Sequence, residues 1–410
     1  MEIREFKQTE IGRIPKEWEV TRLGDVSKQR NEIVQPGQER NDKFVGLEHL
    51  EKGESRIKGY GLASGVISSK FRFFARDILY GKLRPYLDKA VIADFTGICS
   101  TDLLVIDQDK KKVQPNFLMY IIHSPNFISH AISTTSGTNH PRTSWNAIAK
   151  FKFPLPPLLE QKKIAEVLTT VDQAIEKVDE AIEKTQRLKK GLMQELLTKG
   201  IGHKEFKDTE IGRIPKEWDV VKILELGKIV TGGTPSTSNN TYWNGTIPFI
   251  TPADIKGDKY IYQTERNITS EGARKIGIIL PTNTVLVVCI GSTIGKTGVT
   301  YRESVTNQQI NAIICNGEVN GDYVYYAITF RSDSLKAFSG VAAVPIIKKS
   351  LFEQFKIPLA PLSERQKIAE ILSAVDERLE LLRTRKERLE KIKKGLMNDL
   401  LTGRKRVRLV

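Results

Sequence analysis

The side chains of this 410-residue chain that are equipped to recognise a ligand gather on a few glycine-bearing stretches. In the first half "YGKLRPY" supplies Lys82, Arg84 and Tyr86, and "TSGTNHPRTSW" supplies Thr138, Asn139, His140 and Arg142. In the second half "TGGTPSTSNNTYW" supplies Thr234, Ser236, Thr237, Ser238 and Asn239, and "GSTIGKT" supplies Ser292, Thr293 and Lys296. Arg and Lys match the major-groove edge of guanine, Asn and Gln match adenine, and Ser and Thr are less selective. Glycines beside such groups let backbone approach a phosphate closely. Each residue alone also reads as an ordinary turn-former, so the loops as sets are the candidates.

Chemistry that transforms a substrate is harder to find. "GSTIGKT" places three residues between Gly291 and Gly295, where a nucleotide-binding P-loop needs four before its Gly-Lys pair, so ATP is not the expected ligand. Asp254 and Lys256 have the Asp-x-Lys spacing of some metal nucleases, but no partner acid stands in a suitable context. "LPPLL" is not the Asn-Pro-Pro-aromatic or Asp-Pro-Pro-aromatic phrase that holds an amino group during methylation. Cys99, Cys289 and Cys315 are widely spaced without a CxxC, and the five histidines lack paired metal-ligand spacing. Neither a metal nor a cofactor is expected on this chain.

Sixty-four Lys and Arg against 49 Asp and Glu give a formal charge of +15, which calls for a polyanionic partner, nucleic acid before anionic membrane. The longest apolar stretch, "KIGIILPTNTVLVVCIG", is broken by Pro281 and its polar neighbours and cannot supply the roughly 20 apolar residues of a spanning helix. The opening "MEIREFKQTEIG" has no apolar core of the signal-peptide kind, so a cytoplasmic protein is expected.

The elements that must position these loops come in duplicate. "KQTEIGRIPKEWEV" at residues 7–20 returns as "KDTEIGRIPKEWDV" at 207–220, and residues 154–198 match 358–402 without a gap at about half of the positions. Internal repetition of this kind decides architecture. The chain parses into a mounting segment (1–20), a variable domain (21–153), a helical region (154–200), a second mounting segment (201–220), a second variable domain (221–357) and a second helical region (358–410). Ile164, Leu168, Val171, Ile175, Val178 and Ile182, continued by Leu188, Leu192 and Leu196, step by threes and fours, and Ile368, Leu372, Val375, Leu379, Leu382, Leu389, Ile392 and Leu396 repeat the stripe. This spacing predicts two long helices that pair as a coiled coil, each a rod on the order of 57 Å. Two unrelated amphipathic helices, each packed on its own domain, are the alternative. The variable domains hold β-branched and aromatic runs punctuated by Gly, Pro, Asn and Ser, which predicts mixed domains of strands and short helices such as "PNFLMYIIHSPNFISHAI".

With "EIGRIPKEW" before each variable domain, "GGTPSTSNNTYWNGTIPFITPADIKG" and "TNQQINAI" in the second, and "FPLPPLLEQKKIAEVL" and "IPLAPLSERQKIAEIL" after them, the chain resembles the specificity (S) subunit of type I restriction-modification enzymes. The first domain lacks "GGTPS" and rests more on its position and on "DILYGKLRP". The resemblance implies an α+β chain with two mixed α/β target-recognition domains joined by two long helices as an antiparallel coiled-coil spacer, pseudo-two-fold from tandem duplication. It also implies a noncatalytic subunit that binds double-stranded DNA at a split, asymmetric site. Two methylation (M) subunits would bring AdoMet, and motor-nuclease (R) subunits would bring ATP and Mg2+. A stand-alone two-headed architectural or regulatory DNA binder is the rival reading, and a hidden nuclease is a further one. Trp18 and Trp218 in matched contexts argue that the repeated phrase packs against something and is no simple linker.

Overall fold

The computed structural model describes residues 5–35, 42–317, 319–339 and 345–408. The first four residues of the N-terminal mounting segment and the last two of the final helical region lie outside the described residues. The chain divides into two compact units, one of residues 1–177 with 386–410 and one of residues 178–385. Each long helix therefore contributes its N-terminal part to the unit of its own head and its C-terminal part to the other.

In the first unit the mounting phrase folds as a hairpin, Phe6–Thr9 against Gly12–Pro15. Its continuation Glu19–Arg22 pairs antiparallel with Lys152–Leu155, so entry to and exit from the head are zipped together. The head holds a four-stranded antiparallel sheet in the order Ala90–Ile92, Ile78–Gly81, Leu103–Gln108, Ser27–Arg30. Beside it a five-stranded sheet contains the parallel pair Gly97–Cys99 and Lys43–Val45. The run "LLVI" explains why the sheet is covered on both faces. Successive side chains of a strand point to opposite sides. Leu104 and Ile106 join a core with Phe117, Leu118 and Ile121 of the head's helices, while Leu103 and Val105 join another with Val45, Phe73 and Val91. The segment expected to be helical forms two helices, Pro115–Ile122 and Pro125–Ser133, because Pro125 supplies no amide hydrogen to continue the first. Ser124 caps the second by accepting from the Phe127 amide at 3.3 Å.

The second unit repeats this plan with different residues. Phe206–Thr209 pairs with Gly212–Pro215, and Asp219–Lys222 with Lys356–Leu359. The main sheet runs Gly227–Thr231, Ile310–Cys315, Val285–Val288, Thr297–Thr300, Tyr260–Ile261, and a three-stranded sheet is centred on Trp243–Ile250. The fully buried run "VLVV" again feeds two cores, Val285 and Val287 on one side, Leu286 and Val288 on the other. The helix Gly321–Phe330 begins at Asn320, whose side chain accepts from the Tyr323 amide at 3.0 Å.

Both long segments are single helices of 39 residues, Leu158–Leu196 and Leu362–Leu400. The apolar stripe departs from its expected course at one place in each: Leu188 and Ile392 are 55% and 51% exposed. The adjacent Lys189 and Lys393 turn inward instead, because each has a carboxylate to meet. In the first unit Lys393 Nζ lies 2.7 Å from Asp172, which also accepts from Tyr120 Oη at 2.7 Å. In the second unit Lys189 Nζ lies 2.5 Å from Asp376, which accepts from Tyr326 Oη at 2.7 Å. Each Tyr-Asp-Lys set ties a helix of a head to both long helices.

Burial also decides the state of the thiols. Cys99 and Cys289 are pushed up to about 12 and Cys315 to about 11, in each case chiefly by loss of solvation of the thiolate. Because the thiolate is the reactive form, only about one molecule in a thousand or fewer carries it at pH 8 at any of these sites. Iodoacetamide labelling at pH 8, followed by mass spectrometry, should therefore be slow in the folded chain and complete in denaturant. Rapid labelling of the folded chain would contradict the burial of these residues.

Candidate nucleic-acid interface

The head of each unit is held on a buried carboxylate at the start of its own long helix. Trp18 of the mounting phrase is completely buried and donates its indole N–H to Glu160 Oε2 at 2.9 Å. Glu160 is itself fully buried, and Arg406 completes its shell with Nη2 at 2.8 Å from Oε2 and Nε at 2.9 Å from Oε1. In the second unit Trp218 donates to Glu364 Oε2 at 2.9 Å, the Ile201 amide donates to Oε1 at 2.7 Å, and His203 Nε2 sits 2.9 and 3.0 Å from the two oxygens. Gly403 and Gly200, just past the long helices, have φ of +74° and +67°. A Cβ on Gly403 would lie 2.3 Å from Pro15 Cδ, and one on Gly200 2.4 Å from Glu364 Oε1, so both turns need glycine. The repeated phrase is thus a hairpin that ends in a tryptophan anchor.

In the first head the structure brings the two candidate stretches together. The Arg84 amide donates to the Pro141 carbonyl at 2.8 Å, and the Thr143 amide to the Lys82 carbonyl at 3.0 Å. Lys82 is half-buried, while Arg84, Tyr86, Thr138, Asn139, His140 and Arg142 are exposed. Arg84 adopts φ +52°, a left-handed conformation uncommon for a side-chain-bearing residue, ahead of a short 3-10 turn at Pro85–Leu87. The turn Ser100–Asp102 lies beneath both stretches: the Lys82 amide donates to the Asp102 carbonyl at 3.0 Å, and Arg142 Nε to Asp102 Oδ1 at 3.1 Å.

In the second head the turn Asn307–Gln309 stands between the two candidate stretches. Thr234 Oγ1 donates to Gln308 Oε1 at 2.7 Å on one side, and the Cys289 amide donates to the Gln309 carbonyl at 2.8 Å on the other. A Cβ on Gly232 would meet Thr306 Oγ1 at 2.2 Å, which explains the close glycine-mediated approach of that loop. Ser236 and Ser238 hydrogen-bond each other at 2.8 Å. Asn239 spends its carbonyl on the Thr241 amide at 3.0 Å as a cap, which is the turn-forming role. Thr237, Ser292 and Lys296 are exposed and Thr293 is half-buried. Gly291 is held to the other strand of the tip, its amide donating to the Pro345 carbonyl at 3.0 Å.

The two heads thus share a tip built from a hairpin loop, a returning segment and a central turn. Thr101, Asp102, Asn307, Gln308 and Gln309 of the central turns are not among the loop residues predicted from the sequence, although "TNQQINAI" is one of the phrases that carry the resemblance. Nor do the predicted residues include Pro345, Ile346 and Ile347, which return to the tip of the second head; residues 340–344 lie outside the described residues. In the sequence a Ser-Gly pair precedes a proline in both halves, Ser136-Gly137 before Pro141 and Ser339-Gly340 before Pro345.

A profile described as the type I restriction modification DNA specificity domain matches residues 15–184 and again 215–391. The chain belongs to this family. Among relatives of the specificity family, the putative type I restriction enzyme MjaX specificity subunit of Methanocaldococcus jannaschii is 30% identical, over 98% of this chain and 97% of its own length. The MjaVIII specificity subunit of the same organism is 28% identical, over 98% and 96%. The S subunit of a type I system from M. genitalium has a like fold, with a TM-score of 0.62 at 13% identity over 94% of this chain and 96% of that one. A chain solved in a study of the assembly and conformational transition of a type I restriction-modification system gives 0.58 at 19% identity, over 95% and 99%.

Within this specificity chain the aspartate of the Asp-x-Lys pair serves the fold. Asp254 accepts from the Thr251 amide and hydroxyl, both at 2.8 Å, and from the Glu265 amide at 2.8 Å, closing a turn. Among the described residues no group of three or more His, Cys, Asp or Glu is placed to hold a metal ion, and no helix is long and apolar enough to cross a membrane.

Proposed function

We propose that this specificity chain reads a split, asymmetric duplex DNA target, one half-site per head, and presents that DNA to methylation and motor-nuclease subunits. The observation that carries the reading is the pairing of sameness with difference. Two family domains stand on matched Trp-Glu anchors, yet their tips carry unlike side chains. Like mounts with unlike readers give a target that need not be palindromic. The long helices act as an antiparallel coiled-coil spacer between half-sites, which on one face of B-DNA recur every 34 to 36 Å or so. Lys82, Arg84, Tyr86, Thr138, Asn139, His140 and Arg142 belong to the first reading surface. Thr234, Ser236, Thr237, Ser238, Asn239, Ser292, Thr293 and Lys296 belong to the second.

The chain itself is noncatalytic in this reading and acts in the cytoplasm. Two methylation subunits, one for each half, bring AdoMet, and ATP and Mg2+ enter with the motor-nuclease subunits. The +15 charge supports a phosphate-dominated affinity that falls steeply with salt.

The test is a modified-base map of the source genome with the gene intact, deleted, and carrying another family member's domain in place of residues 21–153. Deletion should abolish N6-methyladenine at one split motif, and the exchange should alter one half of that motif alone. If both halves change together, the modular reading is wrong. A deletion that leaves the map untouched, with specific footprinting by the purified chain, would favour the stand-alone binder.

A further inference from the structure

The tip of the first head contains a guanidinium that is braced but not consumed. Arg142 is fixed through its backbone on two sides, exchanging N–H and C=O hydrogen bonds with Ser136 at 3.0 Å each and forming a bridge with Leu83. Its Nε donates to Asp102 Oδ1 at 3.1 Å, and Asp102 is held by Ser100 Oγ at its amide (3.2 Å) and by the Lys82 amide at its carbonyl (3.0 Å). Among the described residues Nη1 and Nη2 of Arg142 have no protein partner. The pair is 44% and 30% exposed, so it contributes little to stability, and its geometry needs another reason. A carboxylate on Nε fixes the plane of the guanidinium and leaves the terminal fork of this 44% exposed side chain available to a ligand. That fork matches the O6 and N7 acceptors of guanine, and pre-organisation spares the entropy of ordering it on binding.

The second head shows what the same position looks like without the device. There Ile346 bridges Ile290 where Arg142 bridges Leu83, and the Ile347 amide donates to the Cys289 carbonyl where the Thr143 amide donates to that of Lys82. Gln309 takes the place of Asp102, its carbonyl accepting from the Cys289 amide. We infer that Arg142 reads a guanine in the half-site of the first head, with Asp102 as its positioning residue, and that the second head has no counterpart of this contact. The inference rests on the proposed reading of the heads as base readers.

The test compares modified-base maps for the intact gene and for R142A, R142K and D102N, each expressed with its partner subunits. Exchange of residues 21–153 first assigns one half-site to the first head. That half-site should contain a guanine pair whose discrimination falls about 5- to 150-fold in R142A, the other half-site remaining unchanged. R142K should not restore it, since a lysine lacks the planar fork. D102N should relax the same position to a smaller degree, which a purely structural role would not do. Where a variant no longer modifies DNA, the purified complex is assayed by competition among duplexes bearing each base at that position. Retained preference for guanine, a uniform weakening rescued by R142K, or a half-site without guanine overturns the inference alone. A wild-type map that does not depend on the gene removes the reading of the heads, and the inference falls with it.

Discussion

Replacing Glu160 by alanine is expected to destabilise the first unit by about 3–5 kcal/mol, the usual cost of stripping one partner from a buried charged pair. The carboxylate is fully buried and accepts from both the Trp18 indole and the Arg406 guanidinium. Alanine leaves the Trp18 indole unpaired, reduces the Arg406 guanidinium to its 3.0 Å pair with Glu17, and opens a cavity beneath the tryptophan. For a unit of this size the loss corresponds to a drop of roughly 6–20 °C in melting temperature. Differential scanning calorimetry should show the lower transition, and the matching Glu364→Ala should act in the second unit by breaking the contacts of Trp218, Ile201 and His203. Glu160→Gln, which keeps an acceptor for the indole, should cost less. Equal melting of Glu160→Ala and the wild type would show that the anchor is not a structural keystone.

The second large effect is expected at the inward lysines. Asp376→Ala should cost about 2–4 kcal/mol, somewhat below the fully buried case because Lys189 and Asp376 each retain 15% exposure. It removes the acceptor of the Tyr326 hydroxyl and leaves the Lys189 ammonium within an apolar stripe. The double replacement Asp376→Leu with Lys189→Met should recover most of that loss, since well-packed apolar groups of similar volume often match or exceed a buried ion pair. Chemical denaturation of these variants and of the single replacements Asp376→Leu and Lys189→Met measures the difference, and the non-additivity of the two singles in the double isolates the pair. Asp172 and Lys393 allow the same comparison in the first unit. If the double variant is as unstable as Asp376→Ala, the ion pair is not what holds the lysine inward.

The long helices were legible because their signal is local. Steps of three and four residues at Ile164, Leu168 and Ile368, Leu372 mark positions that the structure buries completely. The stripe misled only at Leu188 and Ile392, where hydropathy favours the leucine or isoleucine but a distant aspartate draws in the neighbouring lysine. No periodicity within a helix can register a partner some two hundred residues away. Trp18 and Trp218 are recognisable as packing residues from their repeated context, yet their acceptors are not, because nothing local to a glutamate at the start of a helix marks an indole 142 or 146 residues upstream. The sheets were legible as strand-rich text but not in their order, since pairs such as Lys43–Val45 with Gly97–Cys99 close over about fifty residues. The candidate loops were chosen by composition, which finds exposed polar turns. It could not find Asp102, whose interest lies in touching Arg142 forty residues downstream.

The two anchors differ in how their third member is attached to the chain. Arg406 follows the exposed Arg404 and Lys405, whereas His203 precedes the exposed Lys204. A trypsin nick after Lys405 would detach the guanidinium from its helix and leave Glu160 facing Trp18 with its counter-ion on a separate segment. A nick after Lys204 would leave the imidazole tethered to the helix that delivers it. Structurally matched halves thus carry unequal scars from the same protease: cleavage at the first anchor releases a clasp, while cleavage at the second cuts the strap beyond the buckle.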